Sequence, residues 1–335
     1  MTELTWRDST TGRMVVLRKD MLQRSPEVLG ENGWSEFELL STERALEGAP
    51  AELREGAEAV HLVEPGRVSD ASATILDQVG GRRLVALGGG RVVDTAKAIA
   101  SVRGTDVAAI PTTLSGAPMT AVHMLPSGHG GVAGTRPALV LADPEAMTSA
   151  PEERLRATAM NALAHGGDSL FTPRADTFSR SAALSGLAKV AASLDAPREE
   201  RDRSELALGA LLCGYGVDRA GMALQHVLSQ TVVRVCRTPH AETHATMLPH
   251  TMAELSRRAP ERGDELADAL GTDPDGIAER IAELTGRRLT LGGLGADRDR
   301  LDEVVDAATA RPDLFANTPG ELDREQVRGI LASAW

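Results

Sequence analysis

Four histidines, His165, His226, His240 and His244, stand in one stretch of a chain that has only eight. Imidazoles gathered in this way can ligate a divalent metal through a ring nitrogen, or offer hydrogen bonds to a reacting oxygen. Asn161 and His165 are four apart, the spacing that puts two side chains on one face of a helix. His226 and His240 are 14 apart and converge only if a helix ends between them, which Arg237, Thr238 and Pro239 can bring about. Spacing alone leaves the metal reading open beside the plainer one, in which each histidine is a hydrogen-bonded core or surface residue.

A second chemical signal lies in the other half, at LVALGGGRVVDTAKAIAS, residues 84–101. Leu84, Val85, Ala86 and Leu87 suit a buried parallel strand, and Val92, Val93, Ala96, Ala98 and Ile99 form an apolar helix face. Between them Gly88, Gly89 and Gly90 let the backbone approach a ligand closely. The free amides that open the helix, at the positive end of its dipole, suit a pyrophosphate. The spacing is not the common G-x-G-x-x-G, and a glycine turn can also serve only to pack a helix onto a sheet.

Around that turn, apolar runs at 14–17, 37–40, 60–63, 84–87, 107–110 and 138–141 read as strands, with helical patterns between them. Ser69 is placed to cap the helix that reaches Ile75 and Leu76. This alternation implies a mostly parallel, doubly wound α/β sheet, whose ligands bind at the carboxyl ends of the strands. Three loops fall there: 88–90, 112–116 and 41–44, the last placed to meet a ribose or adenine. Segment 120–136, with four glycines and two histidines, reads as a loop or hairpin. From Ser149, which with Glu152 suggests a capping box around Pro151, strands disappear. Helical periodicity recurs over 155–170, 178–194, 204–217, 222–236 and 242–255 and in shorter pieces to Ala334. Two domains are expected, an α/β domain at 1–150 and an all-helical domain at 151–335.

With 335 residues and 42% hydrophobic content the chain can bury a substantial core. A net charge of −12 argues against nucleic acid and anionic membranes as partners. No apolar run approaches a membrane span, the N-terminus lacks a signal pattern, and a cytoplasmic protein is expected. Cys213 and Cys236 form no C-x-x-C and read as buried, reduced thiols. Aromatic residues make up 2%, so the core is aliphatic and rich in alanine.

Taken together these residues resemble the iron-containing alcohol dehydrogenase family, of dehydroquinate-synthase-like fold, and within it maleylacetate reductases. The family's GGGS-x-x-D-x-A-K is matched by Gly88, Gly89, Gly90, Asp94, Ala96 and Lys97, with Arg91 in place of the serine. Its I-P-T-T is Ile110, Pro111, Thr112 and Thr113, and its aspartate-proline is Asp143 and Pro144. In the helical half, N-A-x-A-H falls at 161–165, G-M-A-L at 221–224 and P-H-A-E-T-H at 239–244.

The resemblance implies NAD(H) or NADP(H) held by Ser41, Thr42, Gly88, Gly89, Gly90, Asp94, Lys97, Thr112 and Thr113. It implies an active site in the interdomain cleft and a homodimer. The metal ligands of relatives, an aspartate and three histidines, correspond to Asn161, His165, His226 and His240. An amide in place of the aspartate brings no charge, which points to a weak or absent metal, whether iron or zinc. The expected activity is NAD(P)H-dependent reduction of a small carbonyl or a conjugated enone or enoate. His226, His240 and His244 would orient the substrate oxygen, with His165 a second donor or residual ligand. Arg174, Arg219, Arg234 and Arg237 are candidates for an acidic substrate group. Gln225 and Gln230 replace histidines of the reductases and Pro118 replaces a glutamate. These departures point to a substrate other than maleylacetate, and they carry an alternative, a non-redox dehydratase, lyase or cyclase on the same scaffold.

Overall fold

The computed structural model describes residues 3–131 and 134–335. The chain parts into two compact units, Met1–Ala150 with Arg203–Ala207, and Pro151–Asp202 with Leu208–Trp335.

The first unit is built on a seven-stranded sheet of order β1-β2-β7-β6-β5-β3-β4. Its strands are β1 Glu3–Arg7, β2 Met14–Arg18, β3 Glu38–Ser41, β4 Ala59–Leu62, β5 Arg83–Gly88, β6 Asp106–Pro111 and β7 Leu139–Ala142. Its helices are α1 Met21–Glu31, α2 Glu43–Glu47, α3 Ala51–Glu55, α4 Val68–Leu76, α5 Gly90–Arg103 and α6 Pro144–Met147. All pairings are parallel except that of β1 with β2. Side chains alternate across the sheet as the twofold period of a strand requires. Leu39, Val85, Leu87, Ala108 and Ile110 join one core with Met21 and Leu29 of α1 and Leu53 of α3. Leu40, Leu84, Ala86, Val107 and Ala109 join the other with Ile75 of α4 and Val92, Ala96 and Ile99 of α5. Helices cover both faces, so the sheet is doubly wound.

The winding reverses between β3 and β5. From β3 the chain moves outward to β4, and from β5 it moves the other way to β6 and β7. The crevice where two neighbouring crossovers diverge is where such sheets bind ligands. Register brings its edges level, because Ser41 lies opposite Leu87 and Gly88 opposite Pro111.

Three expectations are corrected. β1 was not foreseen, since its half-exposed ELTWR offers no buried apolar run. Ser69 does not cap α4, which starts one residue before it with Arg67 at the N-cap. The capping box at Ser149 is absent, because the Ser149 hydroxyl donates back to the Ala146 carbonyl (2.9 Å) and Pro151 takes the N-cap position. Segment 120–136 has neither helix nor strand among its described residues, and residues 132 and 133 lie outside them.

The second unit contains helices and no strand. These are α7 Glu152–Phe171, α8 Thr177–Asp195, α9 Arg203–Ala220, α10 Leu224–Cys236, α11 His240–Arg258, α12 Pro260–Leu270, α13 Ile277–Thr285, α14 Leu301–Thr309, α15 Pro312–Ala316 and α16 Arg324–Ser333, with the start of α9 counted in the first unit. α7 is the central rod, packed by α8, α10, α11, α12 and α13, and it is buried on every side over 159–171. Gly167 makes this possible, because a Cβ there would run into the Met252 side chain. Among the described residues no helix is long and apolar enough to cross a membrane.

Candidate active site

Two sets of residues carry the chemistry, one in each unit. In the first unit the turn after β5 opens α5 with Gly89 at its N-cap and no side-chain cap, so its first amides are open to an anion. The turn is tight against the loop that follows β6. A Cβ on Gly89 would lie 3.1 Å from Cγ2 of Thr113, and one on Gly90 would run into the Ser115 hydroxyl. Arg91 follows in the first turn of α5, and its Nε is buried with no hydrogen-bond partner. A cation at the positive end of a helix is unfavourable unless an anion offsets it. The open amides and the partnerless Nε of Arg91 together fit a pyrophosphate.

The remaining nucleotide-site candidates occupy supporting positions. Ser41 is fully buried and its hydroxyl donates to the Leu87 carbonyl (2.9 Å), tying β3 to β5. Thr42 caps α2, its hydroxyl accepting from the Ala45 amide (3.3 Å). Lys97 has no exposed surface. Its ammonium donates to Asp94 (2.8 Å), the carbonyls of Ala117 (3.2 Å) and Val122 (2.9 Å) and the Thr120 hydroxyl (3.4 Å). It holds the loop after β6 onto α5. Thr112 and Thr113 are half-buried at the end of β6, with the Thr112 amide donating to the Gly88 carbonyl (3.0 Å).

In the second unit the four histidines come together as rings. His165 stacks on His226 with centroids 4.4 Å apart and planes at 19°, His226 meets His244 at 4.9 Å, and His244 meets His240 at 4.4 Å. The break expected between α10 and α11 is present. Arg237 takes a left-handed conformation at the end of α10, its amide returns to the Val233 carbonyl, and His240 opens α11 after Pro239. The row runs from buried to open, with His244 at 0%, His226 at 1% and His165 at 6% exposure while His240 is exposed. Both ring nitrogens of His244, Nε2 of His226 and Oδ1 of Asn161 are buried with no hydrogen-bond partner. Burial, reinforced by the neighbouring His240, His226 and His165, holds His244 well below the usual imidazole range, so it is neutral.

Asp168 belongs to this set and was not foreseen. It lies on α7 at i+7 from Asn161 and i+3 from His165, which is one helix face, and that spacing was the available signal. Its carboxylate is fully buried and accepts from the amides of Ala223 (2.9 Å), Gln225 (3.1 Å) and His226 (3.0 Å), and from Nδ1 of His226 (2.8 Å). α10 has no cap of its own. Asp168 of α7 supplies both the cap and a charge that complements the helix dipole.

The set named for a metal, Asn161, His165, His226 and His240, brings no anionic ligand to offset a divalent cation. It is neutral, and the nearby carboxylate of Asp168 is spent on α10. His165 and His226 turn ring faces to each other, and Nδ2 of Asn161 donates to Nε2 of His165 (3.2 Å). Among the described residues no group of three or more histidines, cysteines or acids is placed to hold a metal ion.

Gln225 and Gln230 are occupied elsewhere. Gln225 donates to the His244 carbonyl (3.0 Å) and accepts from the Thr251 hydroxyl. Gln230 donates to Sδ of Met222 (3.3 Å) and accepts from Arg311 (3.1 Å). Pro118 is buried, with its carbonyl taking a hydrogen bond from Arg13 (2.8 Å). Arg174, Arg219, Arg234 and Arg237 are exposed.

The sheet with its glycine turn and the helical unit with its histidine row place the chain in a known class. Residues 16–151 match the model of the iron-containing alcohol dehydrogenases, and residues 156–335 match that of the C-terminal part of the Fe-containing alcohol dehydrogenase family. The chain belongs to this family and is an oxidoreductase. It is 32% identical to a maleylacetate reductase of Burkholderia cepacia over 261 residues, 75% of this chain and 73% of the relative. It is 30% identical to a maleylacetate reductase of Pseudomonas sp. strain P51 over 328 residues, 90% of this chain and 91% of the relative. The crystal structure of maleylacetate reductase from Agrobacterium tumefaciens superimposes with a TM-score of 0.85 at 27% identity, covering 96% of this chain and 95% of that one.

Proposed function

We propose that this protein reduces a small carbonyl or conjugated enoate at the expense of NAD(P)H, as a maleylacetate-reductase-like enzyme without a resident metal. The observation that carries the reading is the set of buried ring nitrogens on His226 and His244, with Asn161 Oδ1 beside them, that meet no protein partner. Buried polar groups are almost always satisfied, so a ligand is the natural complement.

The α5 amides, Arg91 and the loops ending β3 and β6 would hold the nucleotide, which supplies a hydride when bound. The histidine row would hold the substrate oxygen. As that oxygen gains negative charge, a neutral imidazole of His244 offers one N–H to it in a water-poor setting, where such a bond is strong. His240, at the exposed end of the row, would be the first of the four to meet substrate. The non-redox alternative is not favoured. It drew on Gln225 and Gln230, and both are engaged in bonds that hold α10 to α11 and to Arg311.

The test is fluorescence titration of the metal-stripped protein with NADH and NADPH, followed by a panel of carbonyls and enoates that includes maleylacetate. Nucleotide binding and cofactor oxidation without added metal are expected. Activity that appears only with iron or zinc would return Asn161, His165, His226 and His240 to a metal role. Binding without oxidation by any member of the panel would overturn the reading.

A further inference from the structure

Behind the ring row, Asp168 of α7 is fully buried against the start of α10. Its carboxylate gathers four N–H donors, three from the backbone that opens α10 and one from the His226 ring. A carboxylate accepts and never donates, so Nδ1 of His226 must carry a proton. In the neutral ring Nε2 then carries the lone pair, and this is the atom that lies buried without a partner. His226 has no freedom to turn, because its own backbone amide is held by the same oxygen as its ring.

We propose that Asp168 is a positioning residue. It fixes the tautomer and orientation of His226, so that Nε2 meets the ligand as a hydrogen-bond acceptor. The site is then asymmetric. His226 suits the hydroxyl of the reduced product, formed once the alkoxide left by hydride addition has taken a proton from solvent, while an N–H of His244 suits the carbonyl of the substrate. This rests on the function proposed above for its catalytic consequences, though not for the tautomer itself.

The experiment is long-range proton–nitrogen NMR of the full-length protein with labelled histidine, on the wild type and Asp168→Asn, beside steady-state kinetics. An amide brings one oxygen for four donors and turns its own N–H2 towards one of them, so the hold on Nδ1–H is lost. The wild-type His226 is expected in the Nδ1–H form and the variant in a mixture with the Nε2–H form. The kcat should fall by about 100-fold, product inhibition should weaken by about tenfold, and KM for the carbonyl and nucleotide affinity should change little. Asp168→Glu should recover part of kcat. A wild-type His226 in the Nε2–H form overturns the proposal, and so does a shifted tautomer with unchanged kcat. If Asp168→Asn does not fold, the wild-type tautomer decides. If no substrate is turned over, the functional reading fails while the spectrum still tests Asp168.

Discussion

Lys97 reaches from α5 to the carbonyl of Val122, 25 residues along the chain, and does so with its ammonium wholly out of water. The same nitrogen pairs with Asp94 and holds Ala117 and Thr120, so one side chain fastens the start of the loop to the helix that opens at the glycine turn. Lys97→Met should therefore act on stability before it acts on cofactor binding. It leaves two carbonyls without a donor and Asp94 without a counter-charge, at a cost on the order of 3 kcal/mol, read as an earlier urea midpoint. An unchanged midpoint with lost NADPH binding would put Lys97 on the nucleotide instead.

Arg91 should show the opposite pattern. Arg91→Ala removes a cation from the helix end where a pyrophosphate would sit, without emptying the core. Charge-assisted hydrogen bonds contribute about 1.5–3 kcal/mol, so the dissociation constants of NADH and NADPH should rise by about tenfold or more, with the urea midpoint kept. A larger loss for NADPH alone would locate Arg91 at the 2′-phosphate.

Gln230 and Gln225 separate framework from chemistry. Gln230→Ala should leave kcat within about twofold, because its partners are Met222 and Arg311. Gln225→Ala should destabilise by about 2 kcal/mol, since the His244 carbonyl loses a buried donor. A large fall in kcat for Gln230→Ala in a stable protein would instead put Gln230 in contact with substrate or nucleotide.

Acid should loosen the helical unit through Glu152. Hydrogen bonds from Arg201, the largest influence, and from Arg156 outweigh burial and hold its carboxyl down to about 2, from 4.5. A carboxyl lowered in the folded state contributes stability that is complete above about 4.5 and is lost as pH falls towards about 2. Glu152→Gln should therefore melt lower than the wild type at pH 7, and the two curves should approach each other through that acid window. The group is partly exposed, so the effect should be modest and reduced by salt.

The sheet was legible because Leu84, Val85, Ala86 and Leu87 and their counterparts are buried on both faces and read as unbroken apolar runs. β1 was not, since only Leu4 and Trp6 of it are even half-buried. The histidines were legible as a set because all four fall in the helical half, His165 keeps helical spacing with Asn161, and Pro239 marks the break. Asp168 was passed over because a carboxylate three residues after a histidine on a helix is ordinarily a solvated one, and only burial reveals its four donors. Lys97 was read as a nucleotide-holding residue from its place in the motif. Its depth below the surface depends on a loop that sequence does not fold.

The glycines of α7 bear on how this site could change. Side chains added at Gly166 or Gly167 would strike Leu187, Cys213 or Met252, so the helix that carries Asn161, His165 and Asp168 has no room to be rotated or rebuilt. New substrate preferences, whether selected in nature or at the bench, would then arise from the partners α7 faces, with the rod itself as the part inherited unchanged.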